Sequence, residues 1–181
     1  MKTLKLKDNL YWLGVQDPEL KVFDIIMTTE FGSSYNSYLL KGSEKTVLFE
    51  TAKAKFMDQY FAKLGELVDV ADIDYLVVSH TEPDHAGSIG KLIEMNPNIT
   101  VVGSQMAIVV LKGITNGDFK SHVIKDGDTL SIGDKTLRFI SAINLHWPDA
   151  MYTYIAEDKA LVTCDSFGAH FSFDDVLISK L

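Results

Sequence analysis

The chain has 181 residues, 46% hydrophobic and 23% charged, with a net charge of −8. That suffices for one domain with a full core, burying about 70% of its unfolded surface. The negative balance offers no basic stripe to neutralise phosphates, which argues against nucleic acid, and no apolar run approaches a membrane span. The start, Met1 to Lys7, alternates charged and apolar residues instead of building an apolar signal core. Cys164 is the single cysteine, so no internal disulfide forms and a reducing, cytoplasmic setting is the default.

In chain order, Leu4 to Lys7 and Leu10 to Val15 read as two strands turned at Asp8-Asn9, since Asn tolerates left-handed geometry. Asp17-Pro18 is a turn, and Val22 to Met27 is apolar enough for a strand. Gly32-Ser33-Ser34 loops into Tyr35 to Lys41, and Gly42-Ser43-Glu44 turns into Thr46 to Glu50. A helix follows, with Phe56, Tyr60 and Leu64 recurring every four residues and Lys55, Asp58 and Lys63 on the polar face. Tyr75 to Ser79 is a buried strand, and Ala86 to Glu94 a helix stopped at Asn96-Pro97-Asn98. Ile99 to Val102 is a strand, and Ser104 caps a helix over Met106 to Leu111, ended by Gly113 and Asn116-Gly117. Ser121 to Lys125, Thr129 to Ile132, Thr136 to Ser141, Met151 to Ala156 and Ala160 to Thr163 are strands, with a hairpin loop at Gly133-Asp134. Strands dominate both halves with helices interposed, which predicts an α+β sandwich of two sheets with helices on the outer faces.

Between the strand ending at Ser79 and the helix after it lies His80-Thr81-Glu82-Pro83-Asp84-His85. Four of these six side chains can bind a metal, and they sit at the carboxyl end of a buried strand, where open α/β sheets place ligands. Pro83 fixes its own φ and pushes Glu82 away from helical geometry, so the loop is stiff and its donors converge at little entropic cost. A solvated acidic loop is the bland alternative; four donors in six residues weigh against it. His146, in Leu145-His146-Trp147-Pro148-Asp149, and Asp165, after the last clear strand, share that topological position. Alone, His146 reads as a loop histidine and Asp165 as a turn former. Together the six make two oxygen-rich half-sites, too many donors for one tetrahedral ion and about right for two ions bridged by a carboxylate. His122 reads as structural and His170 as exposed or supporting. Cys164, adjacent to Asp165 on a strand, should face the other way as a buried thiol.

His80-x-Glu82-x-Asp84-His85, then His146, then Asp165, resembles the diiron domain of flavodiiron proteins, which have a metallo-β-lactamase-like αββα fold of two mixed sheets. The likeness extends to Thr28 to Leu39 and Leu145 to Asp149 and covers essentially the whole chain. Zinc hydrolases of the same fold carry a histidine where Glu82 stands; a carboxylate is the harder donor and suits iron. The resemblance implies two iron ions, one on His80, Glu82 and His146, the other on Asp84 and His85, with Asp165 bridging. It implies reduction of dioxygen or nitric oxide with electrons from a flavoprotein or rubredoxin donor, in a homodimer. Phe31, Tyr35 and Trp147 are aromatic candidates for the pocket wall, although core packing would explain them equally. The family's seventh ligand, a downstream histidine, and its FMN-binding flavodoxin-like domain do not occur in these residues. The expectation is therefore one diiron domain over 1–181, cut before that histidine, with FMN reaching it only through a partner or a missing domain. An oxygen sensor reporting to a signalling partner and a dinuclear metal hydrolase are the alternatives.

Overall fold

The structure, a computed structural model, describes residues 3–172. Its larger sheet holds seven strands in the order β1 (Leu4–Lys7), β2 (Leu10–Trp12), β7 (Tyr38–Lys41), β8 (Thr46–Phe49), β9 (Tyr75–Val78), β10 (Thr100–Gly103) and β11 (Ser121–Val123). The first four pair antiparallel and the last four parallel, sharing β8. Parallel neighbours need crossovers, and the chain provides them as helices: α1 (Met57–Leu67) between β8 and β9, α2 (Pro83–Ala86) and α3 (Ile89–Met95) before β10, and α4 (Gln105–Thr115) before β11. The central strands are covered on both faces, which is why they read as unbroken apolar runs.

Alternation along these strands divides the core. Leu39, Leu48, Leu76, Val78 and Val101 meet Tyr60, Leu64, Ile89, Leu92, Ile108 and Leu111 of the helices. Their neighbours Leu40, Val47, Val77 and Val102 point the other way, against Leu137, Phe139, Met151 and Ile155 of a second sheet. That sheet is β12 (Thr129–Ser131), β13 (Thr136–Ser141), β14 (Met151–Ile155) and β15 (Ala160–Val162), antiparallel throughout. The α+β sandwich is as expected, with the parallel pairing confined to the larger sheet. Among the described residues the helices lie on one side only, over the larger sheet.

Three local expectations change. Leu10 to Val15 is not one strand: it breaks after Trp12, and β3 (Val15–Asp17) leaves to pair with β6 (Ser33–Tyr35). The break falls at Gly14, where an added Cβ would stand 2.2 Å from the Tyr35 carbonyl oxygen, so only glycine lets the ribbons approach. Val22 to Met27 is a tight hairpin, β4 (Val22–Phe23) with β5 (Met27–Thr28), turned by Asp24 and Ile25 at φ 45° and 71°. Lys63, placed on the polar face of α1, is buried; its ammonium donates to the Gly14 carbonyl at 2.5 Å and lies 4.7 Å over the Trp12 ring. The α4 cap stands as expected, the Ala107 amide donating to Ser104 Oγ at 3.1 Å, and Asn116 ends the helix in left-handed geometry.

Candidate metal centre

β9 delivers His80 to the carboxyl edge of the larger sheet. Glu82 stays extended, as the residue before proline must, and Pro83 occupies the first position of α2. Asp84 and His85 therefore lie on a helical turn, and the longer helix expected from Ala86 begins only at Ile89. The segment after β8 clamps this turn: the amide and hydroxyl of Thr51 both donate to the His85 carbonyl, at 3.0 and 2.5 Å. All four donor residues are buried, from 0% exposed at His80 to 6% at Asp84.

The smaller sheet brings the other two. His146 sits in the loop between β13 and β14, which is fastened to the first cluster by the Met151 amide donating to the Ser79 carbonyl at 2.8 Å. Asp165 lies in the turn after β15. Thus residues up to 85 positions apart in sequence meet: His80 Nε2 is 3.2 Å from Asp165 Oδ2 and 3.6 Å from Glu82 Oε2, and His146 Nε2 is 2.9 Å from Glu82 Oε2 and 3.4 Å from Asp165 Oδ2. On the other side, His85 Nε2 is 3.2 Å from Asp165 Oδ1 and 3.5 Å from Asp84 Oδ2. So all six expected residues converge, as two groups, His80–Glu82–His146–Asp165 and Asp84–His85–Asp165. The two oxygens of Asp165 face different groups.

These separations can be tested against a metal. Donors on one ion with bonds of about 2.1 Å lie about 3.0 Å apart at right angles and about 3.4 Å apart at the tetrahedral angle. The observed 2.9–3.6 Å brackets both values. Moreover, Glu82 Oε2 has ion-pair distances but no hydrogen bond, and Glu82 Oε1 and Asp84 Oδ1 are likewise buried without one. Buried acceptors left without donors are costly. Unpartnered carboxylate oxygens gathered with imidazole nitrogens in this way fit a cation held between them.

The charges reinforce this. Burial disfavours the charged form of His80, but the carboxylates of Asp165, Glu50 and Glu82 outweigh it and hold the imidazolium far above its usual range. Burial would raise the Asp165 carboxyl; the imidazoles of His80 and His85 instead hold it well below the carboxylate range. Asp84 is pushed up to about 6, by burial first and then by Asp165 and Glu82 against the relief from His85. Such a cluster is an anionic pocket whose protons a divalent cation would displace.

Other expectations shift. Cys164 does not face away from Asp165: β15 ends at Val162, Cys164 has φ 45°, and both line a cleft of about 260 Å³ that also takes in Asp84, His146 and His170. Burial raises the thiol to about 11, and Cys164 joins neither donor group. His170 is exposed, as expected, and lines the cleft, with Nδ1 3.0 Å from Ser33 Oγ and its ring 4.5 Å from that of Phe23. His122 is exposed on β11. Of the aromatic candidates, Tyr35 is fully buried in the helix-side core, Phe31 packs on Phe171 at 5.4 Å, and Trp147 stands 6.0 Å from His146. Phe23 is the aromatic that lines the cleft.

Two further buried acids lie beside the cluster. Glu50 groups with His80 and His85. Asp149 is 2% exposed, raised by burial, and its backbone carbonyl accepts from Ser104 Oγ at 3.1 Å. Glu50 was findable: it ends a strand on the same sheet edge as His80, the criterion that singled out Asp165.

Residues 33–180 match the model of the ODP family beta lactamase. The flavo-diiron protein FprA2 of Clostridium acetobutylicum is 46% identical over 173 residues, 94% of this chain and 43% of the relative. Rubredoxin oxygen:oxidoreductase from Desulfovibrio gigas superposes with a TM-score of 0.95 at 31% identity, over 99% of this chain and 45% of that one. The flavodiiron protein of Giardia intestinalis gives 0.94 at 30% identity, over 100% and 44%. The chain spans less than half the length of these relatives. The chain belongs to the ODP family of β-lactamase-like domains, and the relatives it resembles are flavodiiron proteins.

Proposed function

We propose that the chain holds two iron ions and uses them to bind and reduce dioxygen or nitric oxide. His80, Glu82 and His146 would hold one ion and Asp84 and His85 the other, with Asp165 shared between the two groups. The observation that carries this is the division of Asp165, with Oδ2 3.2 Å from His80 Nε2 and Oδ1 3.2 Å from His85 Nε2. A monodentate acid at one ion would not present its oxygens to two separate sets of donors. Iron is favoured over zinc by three carboxylates, Glu82 above all, in place of a further imidazole.

Iron held by these residues would supply the electrons for reducing a bound diatomic ligand. The chain's own residues provide the rest. Buried Glu82, Asp84 and His85 fix the donors without reorganisation and keep bulk water off that side. The cleft through His146, Asp165 and His170 gives access from outside. Electrons would come from a flavoprotein or rubredoxin donor, and the chain would act as a homodimer.

The test is competition and turnover. Supplied anaerobically with both metals, the protein is expected to take iron over zinc, and Glu82→His to reverse that order. Oxygen uptake by the diferrous protein is expected to be stoichiometric alone and catalytic with a reduced flavoprotein. Uptake that no flavoprotein renders catalytic would indicate a sensor; zinc preference with hydrolysis of a generic ester or thioester would overturn the redox reading.

A further inference from the structure

Glu50 follows β8 with φ 56°, in the left-handed region that few residues other than glycine adopt. Its backbone is secured there: the amide donates to the Val77 carbonyl at 3.0 Å, and its own carbonyl accepts from Ser37 Oγ at 3.2 Å and Tyr60 Oη at 3.3 Å. The side chain is 1% exposed. One carboxylate oxygen, Oε1, accepts from the backbone amides of Ser79 and His80, the second at 3.3 Å. The other, Oε2, has no hydrogen-bond partner. It stands 3.6 Å from His80 Nδ1 and 3.9 Å from His85 Nδ1, and both of those ring nitrogens are buried and unpartnered too. Three orphaned polar atoms thus face one another behind the donor cluster, while the Nε2 atoms of the same rings face Asp165 in front.

We infer that Glu50 is the positioning residue for both half-sites: one carboxylate takes the Nδ1–H of His80 and of His85, and so commits both rings to present Nε2 forward. The inference rests on His80 and His85 being ligands of different ions. A ligating imidazole nearly always gives its second N–H to such an acceptor, which sets the tautomer, fixes the ring plane and strengthens the ligand. Sharing one acceptor ties the two rings together from behind as Asp165 does from the front. Movement of less than about 1 Å brings both contacts into hydrogen-bond range. The role demands an acid. Two amides on Oε1 and two imidazoles on Oε2 use all four acceptor positions of a carboxylate. Glutamine has one acceptor end, so in either orientation its NH₂ meets a pair of donors. Oε1 also explains why the anchor is shared with the backbone: it fixes the Ser79–His80 peptides and the rings with one side chain.

The test uses the full chain loaded with cobalt(II), whose paramagnetism moves the N–H protons of ligating imidazoles far downfield. Wild type is expected to bind two cobalt ions and show slowly exchanging N–H signals from His80 and His85, beside a fast-exchanging one from exposed His146. In Glu50→Gln the first two signals shift or broaden by exchange while that of His146 stays, and both metal affinities fall about 10–100-fold. Two cobalt ions bound to Glu50→Gln within twofold of wild-type affinity, with unmoved signals, would overturn the inference and leave the dinuclear reading standing. Wild type binding fewer than two ions would overturn both. Should the variant fail to fold, ¹⁵N-histidine spectra of the zinc-loaded wild type decide: Nδ1–H tautomers at both His80 and His85 uphold the assignment, and metal bound through Nδ1 at either refutes it.

Discussion

The two halves of the candidate metal centre are built differently. His80, Glu82, Asp84 and His85 come from six consecutive residues, sit on a strand end and one helical turn, and are almost wholly buried. His146 and Asp165 come from two loops of the other sheet, and their side chains are 53% and 29% exposed. The first half is held by the fold, through Thr51 and the stiff Pro83 turn. The second is held by loop hydrogen bonds, such as Tyr152 Oη donating to Ser166 Oγ at 2.6 Å, and stands nearer to solvent. Damage to the first half should therefore unsettle protein and metal together, and damage to the second should release metal from an intact fold.

Asp165 is the exception that joins the halves, and its loss should have the largest effect. Asp165→Asn keeps the shape but removes the charge that lets two cations lie close. It should empty both positions, lowering iron from two ions per chain to fewer than one, with a loss of affinity beyond the roughly 10–100-fold typical of supporting residues. Metal analysis after anaerobic reconstitution reads this; retention of one full ion would mean that Asp165 serves only one group.

His80→Ala against His146→Ala sharpens the contrast. Either should deplete mainly one ion. His80→Ala also strips buried Glu50 and Glu82 of their cationic partner, which costs roughly 3 kcal/mol or more when a buried pair is broken, and lowers the melting temperature of the metal-free protein. His146→Ala, at an exposed position, should change that stability by less than about 0.5 kcal/mol. Equal melting temperatures for the two variants would erase the distinction drawn here.

Protons compete with metal in the buried half. Because His80 is held protonated above its usual range, metal must displace that proton at neutral pH, and Asp84, at about 6, adds a second as pH falls. Metal affinity should drop with acidity, most steeply below about pH 6, and binding should release protons into weakly buffered solution. A pH-independent affinity would contradict this.

What could be read in advance divides along the same line. The His80–His85 cluster is legible because local chemistry makes it: donors at adjacent positions, a proline, a strand before and a helix after. Convergence of His146 and Asp165 is a property of the sheet packing, and only their shared place at strand ends hinted at it. Errors arose where tertiary contact overrode pattern. Gly14 divides a strand because another carbonyl needs its space, Lys63 buries its stem and finds a carbonyl, and Cys164 turns into the cleft because the strand stops two residues earlier. Glu50 carries little local signal because no other donor stands beside it in sequence. The smallest effect is predicted for Cys164→Ser: a thiol raised to about 11 is neutral and unliganded, so iron content should match wild type.

The central claim is a bridged pair of ferrous ions, and Mössbauer spectroscopy of the anaerobically ⁵⁷Fe-loaded chain tests it most directly. The account predicts two high-spin ferrous ions per chain, magnetically coupled, and a collapse of both components in Asp165→Asn. A single uncoupled ion, or iron displaced by equimolar zinc, would contradict it.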